Sequence, residues 1–134
     1  MAPFSAPTSI RSADTALTGS LVASSTVDTR GFTRVSVAFV YTKGGSATLL
    51  EAHPELSFDG GTTWIPAVSA LSVGTPTGGA VSIEMTDPTY TVTASGNRVL
   101  HLETYGAQLF RVRVRETGTP GGTCGITAAC AGGA

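Results

Sequence analysis

An all-β fold, an antiparallel β-sandwich of about eight or nine short strands, is predicted by three features of this 134-residue sequence. Apolar and polar residues alternate in several runs, most clearly over residues 32–42, where Val35, Val37, Phe39 and Tyr41 fall on one face. Glycine and proline recur at intervals of roughly 8–15 residues, as turns between short strands require. No window shows the period of 3.6 that a helix would need. Jelly-roll and immunoglobulin-like sandwiches need the same alternation, so both topologies remain open.

The chain divides into an N-terminal arm and one domain. Residues 1–14 are rich in Pro, Ser and Ala without sustained periodicity, which predicts an extended arm. The remainder, residues 15–134, has the length of a single β-sandwich domain. The predicted strands, in order, are 17–24, 32–42, 47–58, 64–72, 81–85, 90–94, 98–103, 109–116 and 124–130.

The strand predicted over 47–58 carries one apolar and one polar face. Its inward residues are Leu50, Ala52, Leu56 and Phe58, and the opposite face holds Glu51, His53, Glu55 and Ser57. Pro54 lacks the N–H that a central strand donates, so it predicts an edge position or a bulge, as does Pro66 in the following strand.

A tight hairpin is predicted where this strand ends. Asp59 can accept hydrogen bonds from nearby backbone N–H groups, and Gly60 and Gly61 can adopt positive φ. Trp64, the single tryptophan, starts the return strand, where we expect it to cover the hairpin as a packing anchor and to bury a large apolar area.

The residues of this hairpin resemble the Asp-box, a β-hairpin signature of sialidase propellers and other β-rich proteins. The matching positions are Ser57, Asp59, Gly61, Thr63 and Trp64. The resemblance implies a structural hairpin and no catalysis. One copy in 134 residues is too little for a propeller, which repeats its hairpin in every blade.

Composition excludes several function classes. Charged residues make up 13% of the chain and the net charge is −1, so there is no basic excess for nucleic acid binding. A surface with so little net charge favours association with other subunits. No apolar run suits a signal peptide or a membrane span, so we expect synthesis in the cytoplasm and no membrane partner. Cys124 and Cys130 lie too far apart on an extended strand for a disulfide and are expected to be buried.

One candidate metal site combines Glu51, His53 and Glu55 with His101 and Glu103, since alternate residues of a strand share a side. The competing interpretation, which we favour, is a charged outer face whose carboxylates meet an arginine row across the sheet. We therefore expect no metal and no cofactor.

That arginine row, Arg111, Arg113 and Arg115, is the candidate partner-binding site, suited to an anionic protein surface. No nucleophile elbow or phosphate-binding loop occurs, so we expect no enzymatic activity and no catalytic residues. Tyr41, Tyr90 and Tyr105 fall at predicted strand ends or turns, where exposed rings could stack on a sugar or on a protein neighbour. The interpretation that we favour is that they pack at the rim of the sandwich.

The runs Glu55 to Pro66 and Leu109 to Arg115, with the uncharged composition and the proline-rich start, resemble small virion proteins of tailed bacteriophages. The resemblance extends loosely over residues 27–129. It implies a capsid decoration or cement protein, often trimeric, that binds the major capsid protein on the outside of the head. Two alternatives stay open: a carbohydrate-binding or host-adhesion module of a tail or fibre, and a head-to-tail connector or tail subunit.

Overall fold

The computed structural model describes residues 4–67, 71–73, 83–85 and 89–132, and these form twelve β-strands and no helix. The strands are β1 (Thr8–Arg11), β2 (Val22–Ala23), β3 (Val27–Asp28), β4 (Arg34–Thr42), β5 (Ala47–Ser57), β6 (Ile65–Pro66), β7 (Leu71–Val73), β8 (Ile83–Met85), β9 (Tyr90–Val92), β10 (Gly96–Glu103), β11 (Leu109–Gly118) and β12 (Thr123–Ala131). The predicted all-β antiparallel sandwich is confirmed. Among these residues there is no helix that is long and apolar enough to span a membrane.

Two sheets form the sandwich. The first has the order β1-β12-β4-β10, and the second has the order β2-β11-β5-β6, with β3 also paired to β11 and β9 to β5. A separate two-stranded sheet joins β7 and β8. The connections after β1, β3, β4, β9, β10 and β11 each carry the chain from one sheet to the other. This order is that of a jelly roll, which resolves the choice that the sequence left open.

The core lies between the sheets and follows the alternation predicted from sequence. On β4 the four inward residues are buried, and on β11 Phe110, Val112 and Val114 face them from the second sheet. Cys124 and Cys130 are buried free thiols, as predicted, and burial raises the pKa of Cys124 to about 11. These thiols therefore pack as small apolar side chains.

The N-terminal boundary differs from the prediction. Thr8–Arg11 forms β1 and pairs with β12 at the edge of the first sheet, and Ile10 is buried in the core. This part of the predicted arm therefore belongs to the sandwich, because one apolar side chain anchors it. The strand predicted over residues 17–24 is reduced to Val22–Ala23, since Leu17 packs into the core from a loop.

Three predictions around the Asp59 hairpin also need correction. Phe58 is 47% exposed because the chain has already left β5 when it reaches this residue. The strand predicted over 64–72 is two short strands, β6 and β7, and residues 68–70 lie outside the described part of the chain. Pro54 lies in a strand with neighbours on both sides, but it falls between the residues that pair with β9 and those that pair with β6. Its missing N–H thus costs no ladder bond there.

A buried carboxylate joins the two sheets at one end of the sandwich. Glu116, at the end of β11, is fully buried and accepts four hydrogen bonds. Its Oε2 accepts from the Tyr41 hydroxyl at 2.6 Å and the Gly44 N–H at 3.0 Å, and its Oε1 accepts from the N–H groups of Gly121 at 2.9 Å and Gly122 at 2.8 Å. The site connects β4, the β4–β5 turn and the β11–β12 turn.

Two glycines allow these turns to approach the carboxylate. A Cβ atom on Gly122 would lie 2.6 Å from Glu116 Oε2, and one on Gly44 would lie 2.8 Å from the Gly122 nitrogen. No side chain fits at either position without moving backbone. Burial raises the pKa of Glu116, but the four donors outweigh it and hold that pKa below its ordinary value of 4.5.

We predict that Glu116→Gln lowers the free energy of unfolding by about 2–4 kcal/mol, because an amide replaces a carboxylate that four donors surround. Folding lowers the pKa of Glu116, so the carboxylate's stabilisation is complete above its ordinary pKa of 4.5 and is lost as the pH falls toward the folded-state value. Urea unfolding from pH 7 to pH 3 measures both effects.

Tyr41→Phe is the matched control, because it removes one of the four donors and keeps the charge. We expect a smaller loss from Tyr41→Phe than from Glu116→Gln. The difference in stability between the wild-type chain and Glu116→Gln should shrink at acidic pH. A difference that stayed constant over the pH range would contradict this account of the carboxylate.

Candidate partner-binding face

The arginine row lies on the outer face of the second sheet, where β11 pairs with β5. In this register Arg111 stands opposite Glu55, Arg113 opposite His53 and Arg115 opposite Glu51. The six residues form what we call the charged ladder. Residues on either side of each arginine are buried in the core, so the alternation of β11 places all three arginines on one side.

Each arginine of the charged ladder already has a carboxylate partner. Glu55 Oε1 accepts from Arg111 Nε at 2.9 Å and from Arg113 Nε at 3.0 Å. Arg115 Nε donates to Glu51 Oε2 at 2.7 Å. The predicted cross-strand pairing is confirmed, although the face is less solvated than expected, because the Glu55 side chain is only 7% exposed.

The charged ladder carries a small positive excess. Three guanidinium groups face two carboxylates, and three minus two leaves one positive charge when His53 is neutral. The bond from Arg115 holds the pKa of Glu51 below its ordinary value, and the pKa of Arg115 is raised in turn. Arg113 and Arg115 keep 35% and 38% of their side-chain surface exposed, so both remain accessible to a partner.

Trp64 extends the charged ladder toward the hairpin. The Arg111 guanidinium lies over the indole ring, 4.2 Å from its centroid, in a cation–π contact. The indole Nε1 donates to the Gly61 carbonyl at 3.0 Å, so the ring covers the hairpin as predicted. The ring lies on the outer face and is partly buried, whereas Phe110 has the largest fully buried side chain in the described part of the chain.

The side chains of Ser57 and Asp59 stabilise the hairpin by hydrogen bonds to each other and to its backbone N–H groups. The buried Ser57 hydroxyl donates to Asp59 Oδ1 at 2.9 Å and accepts from the Gly61 N–H at 2.9 Å. Asp59 Oδ1 also accepts from the Thr63 N–H at 2.8 Å, and these bonds lower the pKa of Asp59, the Thr63 backbone bond most. Gly60 and Gly61 have φ of 72° and 97°, as predicted for this turn.

The structure separates the residues of the candidate metal site. Glu51, His53 and Glu55 lie on the outer face of the second sheet, whereas His101 and Glu103 lie on β10 in the first sheet. His101 instead makes a 2.8 Å hydrogen bond with the Ser36 hydroxyl. Among the residues that the structure describes, no group of three or more His, Cys, Asp or Glu side chains is arranged to hold a metal.

The three tyrosines do not form the exposed aromatic platform that the sequence suggested. Tyr41 is 2% exposed and its hydroxyl is bonded to Glu116, because it belongs to the inward face of β4. Tyr90 is half-buried on β9, and Tyr105 is exposed in the β10–β11 turn with a φ of 52°.

Comparison with known proteins identifies the fold alone. No family model matches the chain, and no curated protein matches it. Among solved structures, it is similar to the SPBc2 prophage-derived protein YomS, with 7% identity, a TM-score of 0.51, and 98% of this chain and 95% of that chain covered. It is also similar to the structure of the infectious bursal disease virus Gx strain, with 8% identity and a TM-score of 0.55. That match covers 97% of this chain and 32% of the viral chain.

Two important features of the structure were not predicted from the sequence. Glu116 continues the inward series of Phe110, Val112 and Val114, so the period of two already placed a carboxylate in the core. The contact between Arg111 and Trp64 joins residues that are distant in sequence, and no local pattern indicates it.

We predict that Ser57→Ala lowers the free energy of unfolding by about 1–2 kcal/mol, because the Gly61 N–H and Asp59 lose a buried partner. Thermal unfolding checks this value against Thr62→Ala, an exposed change in the same turn. Equal stability of the two variants would show that the Ser57 hydroxyl does not hold the hairpin.

We predict that Glu55→Gln lowers the free energy of unfolding by about 1–3 kcal/mol, because it removes the negative charge that two guanidinium groups share at a buried position. A double-mutant cycle with Arg113→Gln measures the coupling of that pair by urea unfolding. Additive losses would mean that the 3.0 Å contact contributes nothing to stability.

Proposed function

We propose that this chain is a non-enzymatic virion structural protein, a capsid decoration or cement protein that binds the outside of a phage head and stabilises it. The observation that carries the proposal is the jelly-roll strand order, which is common in viral capsid proteins. The similar fold of a prophage-derived protein, over nearly the whole of both chains, also supports this proposal.

The outer face of the first sheet has the composition of a surface that contacts other subunits. At its centre, β4 and β12 present only small or apolar side chains, and Val40 is 50% exposed. These residues are Ser36, Ala38, Val40, Gly125, Thr127 and Ala129. Depletion of charge is typical of the centre of a protein interface. The low overall charge also leaves little repulsion between neighbouring copies.

The charged ladder is the proposed contact with the major capsid protein. Its three arginines are held in fixed positions by Glu51, Glu55 and Trp64, so binding would cost them little side-chain entropy. The single excess positive charge suits an acidic patch on the partner. A homo-oligomer, with a trimer favoured, would present this contact several times to a symmetric shell and so raise the avidity.

We predict that the purified protein binds heads of the phage that encodes it, and that Arg115→Gln weakens this binding about three- to tenfold, as the loss of about 1 kcal/mol implies. Sedimentation of heads lacking the protein, with added variants, gives the occupancy. Arg30→Gln is the matched control, because Arg30 is also an exposed arginine bonded to a carboxylate, that of Asp28.

Cryo-electron microscopy of the same particles places the bound protein. Density on the outer head surface is the expected result. Density only at the tail axis or on a fibre would support a connector, a tail subunit or an adhesion module instead. Absence of the chain from purified particles would contradict every virion role.

A further inference from the structure

We propose that β10 is a self-pairing edge: the β10 strands of two copies join antiparallel about a twofold axis and link their first sheets into one continuous sheet. The proposal concerns the free chain in solution and does not depend on the virion role.

In the described part of the chain, β10 is paired along one side only. Gly96–Glu103 pairs with β4 through eight consecutive residues without a register shift, and β10 ends the strand order of the first sheet. Its other side therefore presents a long, regular row of backbone donors and acceptors within the described part of the chain. Such an edge is a template for another strand.

The remaining edges of the described sandwich are poor templates. At the opposite edge of the first sheet, β1 has four residues and its register shifts between Ser9 and Arg11. In the second sheet, the outer strands β2, β6 and β9 have two, two and three residues, and β6 contains Pro66. These are the features with which proteins protect an edge. By contrast, β10 has no lysine or proline, and its Val99 is 73% exposed.

A cavity lies beside the same edge. It has a volume of about 200 Å³ and opens between the two sheets where β9 and β10 diverge. Its walls are mainly apolar, with Phe39, Leu50 and Ala52 from the core and Arg98 and Leu100 from β10. A strand added to β10 would direct alternate side chains toward this opening, so backbone pairing and apolar burial would act together.

A second copy of β10 fits this edge in one register particularly well. When the twofold axis passes through Leu100, the leucine faces its own counterpart on the cavity side, and Val99 faces the second copy's residue 101, a histidine. Asn97 then stands opposite the carboxylate of residue 103, with which its amide can form a hydrogen bond. The two Arg98 side chains lie four residues apart along the ladder, whereas a register centred on Arg98 would place the like charges in contact.

Charge and symmetry favour the same partner. The net charge of −1 gives two copies little reason to repel. A twofold contact is self-complementary, so it closes with two copies and leaves no second β10 edge open. It differs from the threefold contact proposed for the shell, and a chain that makes both would form assemblies of even copy number.

The test uses charge at Val99. Val99→Lys and Val99→Glu each place like charges near each other on the same face of the paired strands, so we expect each to weaken self-association at least tenfold. An equimolar mixture of the two variants should associate again, because lysine then meets glutamate. Val22→Lys is the matched control: Val22 is also an exposed valine, but it lies on β2 in the second sheet.

Analytical ultracentrifugation over a concentration series gives the masses, and hydrogen exchange on the unmodified chain gives a second readout. We expect an even number of copies and β10 amides whose protection rises with concentration. A wild-type chain that stays monomeric, a Val99→Lys variant that folds and associates like the wild type, or unchanged β10 exchange would overturn the proposal.

Discussion

The buried carboxylate of Glu116 is the constraint on which the arrangement of the two sheets depends. A charged group with no exposed surface is tolerated only when its oxygens are fully hydrogen-bonded, and here four donors from three segments converge on it. These segments are the end of β4 and the two turns that carry the chain between the sheets. The interaction thus sets the spacing between the sheets at this end.

The two outer faces of the sandwich have different chemistry. At its centre the first sheet presents small and apolar side chains, whereas the second presents the charged ladder with its cation–π contact. In the ladder, cross-strand pairs position arginines that would otherwise sample many rotamers, and two of them stay more than a third exposed. A sandwich with one face that is uncharged at its centre, one ordered charged face and one open edge is well suited to contacts with several neighbours at once.

The cavity and the edge of β10 belong to the same structural feature, the side of the sandwich where the sheets diverge. The jelly roll leaves this side open because β10 has no neighbour beyond it in the described chain and β9 is short. The exposed Val99 and the unpaired backbone lie at that opening. Self-pairing would close the one long edge of the first sheet, as barrel closure does in other β proteins.

The sequence by itself determined the class of fold, the long strands, the inward faces of β4, β11 and β12, and the pairing of carboxylates with the arginine row, because a period of two is a local property. It also located the Asp59 hairpin, whose bonds join neighbours in the chain. Only the tertiary structure decided the jelly-roll order, the hydrogen bond between Tyr41 and Glu116, the position of Trp64 on the outer face, the exposure of Phe58, and the separation of His101 from His53. Each of these depends on which strands become neighbours, and contacts between residues distant in the chain leave no local periodicity to read.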